Sequence, residues 1–83
     1  MTKEQIIEKL NLAFEERFEV DSSVIKPESN IMQTLDLDSM HMLEIIIVVK
    51  NHFGIMLQPR QLPRFVVFED LYQYILEKQI TNE

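Results

Sequence analysis

The chain has no cysteine, a single glycine (Gly54) and three prolines in 83 residues. Without cysteine there can be no disulfide framework, no thiolate zinc site and no cysteine nucleophile. Any thiol chemistry must come in with a cofactor. One glycine leaves no material for a glycine-rich phosphate loop and little for tight hairpins. No apolar run reaches the roughly 18 residues of a membrane-spanning helix. The start, Met1 to Gln5, has neither the apolar stretch nor the small-residue cleavage pattern of a secretory leader. No transmembrane segment and a cytoplasmic location are therefore expected. Repeats and linkers are missing too, so residues 1–83 read as one domain with no room for a second core.

A basic surplus is also lacking. Eight Lys and Arg stand against 14 Asp and Glu, for a formal charge of −6. That balance excludes a general nucleic-acid binder, which needs a basic surface to neutralise phosphates. It favours basic partners. The charge is uneven, however. Residues 1–38 hold nine acids and four bases, and residues 69–83 hold four acids and one base. Between them, Glu44 is the one acid against Lys50, Arg60 and Arg64.

What the chain does have is helical periodicity. Thr2 and Gln5 fit a capping box, and Ile6, Ile7, Leu10, Ala13, Phe14 and Phe18 then recur at three- and four-residue spacing. The pattern predicts a helix over 3–18. Residues 19–37 read as a long connection, with Val20, Val24, Ile25, Ile31 and Leu35 packing it over the core. A second helix is expected from Ser39 to His52, capped by Asp38 or Ser39 and closed by Gly54. It is apolar almost all round, so it either threads the centre or exposes a docking side. Pro59 and Pro63 allow a short helical turn at most. A last helix is predicted over 68–78, with Glu69 and Asp70 well placed in its first turn. The fold class is thus all-α: a small four-helix bundle with three longer helices, a short third one, and a long loop between helices 1 and 2.

Ser39 begins the second helix in the run Leu35-Asp36-Leu37-Asp38-Ser39-Met40. It can be an ordinary capping serine, or it can carry a phosphate ester facing unpaired backbone N–H groups and the helix dipole. Local sequence leaves both open. A hydrolase triad of Ser39, His41 and Asp38 fails on geometry, because residues two apart on a helix point to different sides and no Gly-x-Ser-x-Gly elbow exists. His41 and His52 lack the spacing of a helical metal pair. No catalytic or metal residue is assigned.

The chain as a whole resembles the acyl carrier protein family. The resemblance rests on Asp38-Ser39-Met40, similar to the family's Asp-Ser-Leu signature, on Leu35 three residues before the aspartate, and on Leu43-Glu44. Phe53-Gly54-Ile55 and the closing run Phe68 to Ile75 extend it from about residue 3 to 78. It implies a carrier rather than an enzyme, with 4′-phosphopantetheine from coenzyme A attached to Ser39 by a separate phosphopantetheinyl transferase. Asp38 matches the position that assists recognition by that transferase. Met40, Leu43 and Ile47 match apolar positions that meet partner enzymes, and Glu44 matches an acidic contact. For each of these, core packing or a solvated face is the competing reading. Ile46, Val49 and Phe53 look like core.

The implied partners are the transferase and the acyl-loading, condensing or tailoring enzymes of a fatty-acid, polyketide or related specialised pathway, served by a monomer. A peptidyl or aminoacyl carrier and a helical module without an arm remain the alternatives. Some residues depart from the family pattern. Asp36 stands where a glycine is usual, His41 where an acid is common, and Val66-Val67 where a threonine-type cap is usual. Arg60 and Arg64, with Lys50, replace acidic residues. They read either as solvated charges or as marks of a dedicated partner set.

Overall fold

A computed structural model describes the chain from Met1 to Thr81. Four α-helices form: α1 (Lys3–Phe18), α2 (Ile31–Leu35), α3 (Leu43–Phe53) and α4 (Phe68–Thr81). Two 3₁₀ segments, Ser22–Val24 and Pro59–Arg64, complete the order. The architecture is all-α, with α1, α3 and α4 as the longer helices.

α1 begins as its sequence dictates. Thr2 Oγ1 accepts the Gln5 N–H at 3.2 Å and Gln5 Oε1 accepts the Thr2 N–H at 2.9 Å, so two orphan donors are satisfied reciprocally. Its inner stripe of Ile6, Leu10, Ala13 and Phe14 is buried. From α4, Phe68, Leu71, Tyr72 and Ile75 are wholly buried. The Phe14 ring meets those of Phe68 and Phe18 in tilted contacts, both at 5.8 Å. The Tyr72 hydroxyl finds Asn11 Oδ1 at 2.5 Å, which satisfies the polar tip of a buried ring.

The long connection is more ordered than expected. Asp21 caps the first 3₁₀ turn by accepting the Ser23 N–H at 2.9 Å. α2, not anticipated from the sequence, is capped by Asn30, whose Oδ1 accepts the Gln33 N–H at 2.9 Å. Ile25, Ile31 and Leu35 are buried as expected, but Val24 lies exposed. An isolated antiparallel bridge pairs Asn30 with Val67. Beside it the carbonyls of Ser29 and Pro27 accept the Phe68 and Glu69 N–H groups at 3.3 and 2.9 Å. The connection is thus fastened to the start of α4.

The threonine-type cap missing at residues 66–67 has a substitute from within α4. Asp70 Oδ2 accepts both the Val66 and Val67 N–H groups, at 3.0 and 3.1 Å. Between the prolines the chain winds as 3₁₀, extending one residue past Pro63 to Arg64. Leu62 points into the core and Gln61 Nε2 donates to the Tyr74 hydroxyl at 3.1 Å.

Candidate functional site

The segment that presents Ser39 is set by the end of α2. Asp36 adopts φ 54° and ψ 50°, the left-handed conformation. Its N–H donates to the Gln33 carbonyl at 3.4 Å, and the Leu37 N–H reaches back to Met32 at 2.9 Å. This double bond pattern is a Schellman cap, which normally takes glycine. The turn keeps the glycine geometry with an aspartate in it, at the steric cost of a Cβ in the left-handed region.

The second long helix starts later than Ser39. Regular α-helix begins at Leu43, and residues 39–42 form an irregular turn. The Met42 N–H donates to the Asp38 carbonyl at 3.1 Å. The next three donors, from Leu43, Glu44 and Ile45, bond the carbonyls three residues back instead of four. Asp38 serves as the cap of this turn: its Oδ1 accepts the His41 N–H at 2.8 Å and meets His41 Nδ1 at 2.8 Å. The His41 backbone N–H, then its ring, hold the Asp38 carboxyl below the usual carboxylate range.

Of the two capping residues expected, Asp38 takes the role, so capping does not account for the serine. Its carboxylate occupies the His41 donor one turn before α3. Asp38 and His41 are brought together, but no hydrogen bond joins Ser39 to His41 among the described residues.

Ser39 is exposed, and its hydroxyl makes no bond within the described chain. It opens onto an apolar cleft of about 330 Å³ walled by Met32, Met42, Leu43, Pro59, Leu62 and Pro63. Around it α3 divides by face. Ile45, Val48 and Val49 are buried, and Ile46 and Phe53 are half-buried against the same core. Met40 is 76 % exposed, while Leu43 and Ile47 are 45 and 48 % exposed. The apolar helix therefore does not thread the centre; one side is left to solvent. Arg60 and Arg64 are exposed on the 3₁₀ segment across the cleft. Glu44 is not free: its Oε1 pairs with Arg17 Nη2 of α1 at 2.8 Å. Sequence alone gives no sign of that pair, because its members lie in different helices.

Residues 8–75 match a family model described as a phosphopantetheine attachment site. The acyl carrier protein of Rubrobacter xylanophilus is 27 % identical over 79 residues, 95 % of this chain and 98 % of that one. That of Lactobacillus acidophilus is 29 % identical over 79 residues, 95 and 99 % of the two chains. Acyl carrier protein 2 of Ralstonia nicotianae is 30 % identical over 61 residues, 74 and 75 % of the two. This chain belongs to the acyl carrier protein family. The cofactor of such a carrier is 4′-phosphopantetheine, which supplies the thiol that a cysteine-free carrier lacks. The exposed, unbonded Ser39 hydroxyl fits that group, since nothing in the turn must be dismantled to substitute it. No helix of the described residues is long and apolar enough to cross a membrane.

Proposed function

We propose that this acyl carrier protein shuttles acyl intermediates on a 4′-phosphopantetheine arm joined through a phosphodiester to the Ser39 hydroxyl. The observation that carries the reading is the division of labour between neighbours: Asp38 caps the turn, and Ser39 is left exposed without a bond of its own. The arm supplies a terminal thiol that holds an acyl group as a thioester and raises its local concentration at each enzyme visited. The chain's own part is presentation. The Asp36 turn and the Asp38 cap fix where the serine stands, and Asp38 keeps a carboxylate beside it for the phosphopantetheinyl transferase.

Met40, Leu43 and Ile47, exposed in front of the buried side of α3, form the apolar part of a partner-facing surface for acyl-loading, condensing or tailoring enzymes. Arg60 and Arg64 flank it. Glu44 has a role inside the molecule, its bond to Arg17, besides any contact with a partner. The chain acts as a single carrier unit over residues 1–83, working in the cytoplasm as a monomer within fatty-acid, polyketide or related specialised biosynthesis. Relatives named acyl carrier proteins support an acyl cargo over an aminoacyl one.

Incubation with coenzyme A and a broad-specificity phosphopantetheinyl transferase, followed by mass spectrometry of proteolytic fragments, tests the reading. One phosphopantetheine on the Ser39 fragment is expected, and none on Ser39→Ala. An adduct at another residue, or no adduct with several transferases, would leave a helical module without an arm.

A further inference from the structure

Eight cations populate the chain, and half of them are committed internally. Lys3 pairs with Glu69 and Arg17 with Glu44. Lys9 lies over the Phe53 ring and Lys78 over the Tyr74 ring, at 5.3 and 5.4 Å. Lys26, Lys50, Arg60 and Arg64 have no ion pair or ring contact among the described residues. Three of these four follow Ser39.

Their placement is not scattered. Leu43, Ile47 and Lys50 recur at four- and three-residue spacing, so they share one stripe of α3, and all three are exposed. Arg60 stands three residues before Pro63, on the same side of the 3₁₀ segment, and Pro63 walls the cleft beside Ser39. Arg64 follows it. Of the neighbouring acids, Glu44 pairs with Arg17 and Asp38 bonds His41. Asp36, at the turn before Ser39, and Glu16, which lines a cleft with Ile47 on the α1 side of the stripe, have no ion pair among the described residues. A chain of charge −6 thus offers an apolar stripe bordered by unpaired cations.

We propose that the enzyme surface this carrier docks on is apolar at its centre and carries carboxylates at its rim, facing Lys50, Arg60 and Arg64. The inference rests on the carrier reading and names the chemistry of its partner. An anionic membrane is disfavoured, because the acidic segments 1–38 and 69–83 repel it and three cations fall short of a polybasic cluster.

Two 18-residue helical peptides serve as probes, each with leucines on one face, one flanked by glutamates and the other by lysines. They are titrated into the ¹⁵N-labelled protein at low and high salt. The glutamate peptide is expected to bind about tenfold tighter at low salt, roughly what three rim pairs contribute. Its shifts should map to residues 43–50 and 60–64, and the preference should shrink at high salt. The Lys50→Glu/Arg60→Glu/Arg64→Glu variant should reverse the preference. Glutamines at the same three positions should abolish it without a large new charge. Equal binding of the two peptides, tighter binding of the lysine peptide, or shifts confined elsewhere would overturn the proposal. So would salt-sensitive binding to phosphatidylglycerol vesicles with no preference between the peptides. Phosphopantetheine loading of the unaltered chain reports separately on Ser39, so failure of the docking inference is distinguishable from failure of the carrier reading.

Discussion

The starts of α3 and α4 are opposites. At α4 the donors of residues 66–69 are taken by the Asp70 carboxylate and by the carbonyls of Ser29 and Pro27, above four wholly buried side chains. At α3 the approach is an irregular turn with one side-chain cap from Asp38, and Met40 stands 76 % exposed. At α4 two of the backbone donors go to distant parts of the chain; at α3 the backbone bonds stay among neighbours in sequence, and the long-range ties are the Arg17–Glu44 pair and the buried Met42 side chain. Elements that meet other molecules are drawn from the less stable end of a fold, and the carrier role proposed for Ser39 is in keeping with its place on the looser side.

The contrast can be broken at its strong side first. Phe68→Ala removes a ring at the centre of the α1–α4 contact and should cost about 3–5 kcal/mol in urea denaturation. Asp70→Ala frees two backbone donors at once and should cost about 1–2 kcal/mol, read in the same experiment. Tyr72→Phe loses the bond to Asn11, at about 1 kcal/mol near neutrality. That substitution also carries a pH signature. Burial, reinforced by Glu69, pushes the Tyr72 hydroxyl up to about 12 from 10.0. The group is harder to ionise folded than unfolded, so its stabilisation is complete below pH 10.0 and declines as pH rises toward about 12. Tyr72→Phe should flatten that part of the stability profile.

Substitutions on the open side should be milder, and one should have the opposite sign. Asp36→Gly relieves the left-handed strain before Ser39 and should raise stability by about 0.5 kcal/mol, because glycine's greater freedom when unfolded offsets part of the gain. Met40→Ala should change denaturation by less than about 0.5 kcal/mol. A large loss there would show that the turn contributes more to the fold than its exposure indicates.

Which parts were legible in the sequence follows the same division. α1 was readable at both ends, since its capping box and apolar stripe are local signals. Gly54 closes α3 with φ 70°, as its residue type announces. α2 escaped because five residues are too few to show a period, although Asn30 followed by Gln33 is the spacing of a cap. The delayed start of α3 was hidden because three-residue and four-residue bonding differ little in composition. The Arg17–Glu44 pair and the carbonyls that secure α4 depend on tertiary placement, which no local pattern encodes. For Ser39 itself, local chemistry could not separate cap from anchor. The Asp38 hydrogen bond removes the capping role from the serine.

The bridge between Asn30 and Val67 has a consequence for timing. The clasp that fixes the long connection needs the backbone of residues 66–69, which leaves the ribosome well after Ser39 does. Until then the stretch leading to the serine lacks its fastening and cannot settle into its final course. A modifying enzyme that requires the finished surface would accordingly wait until residues 66–69 have emerged.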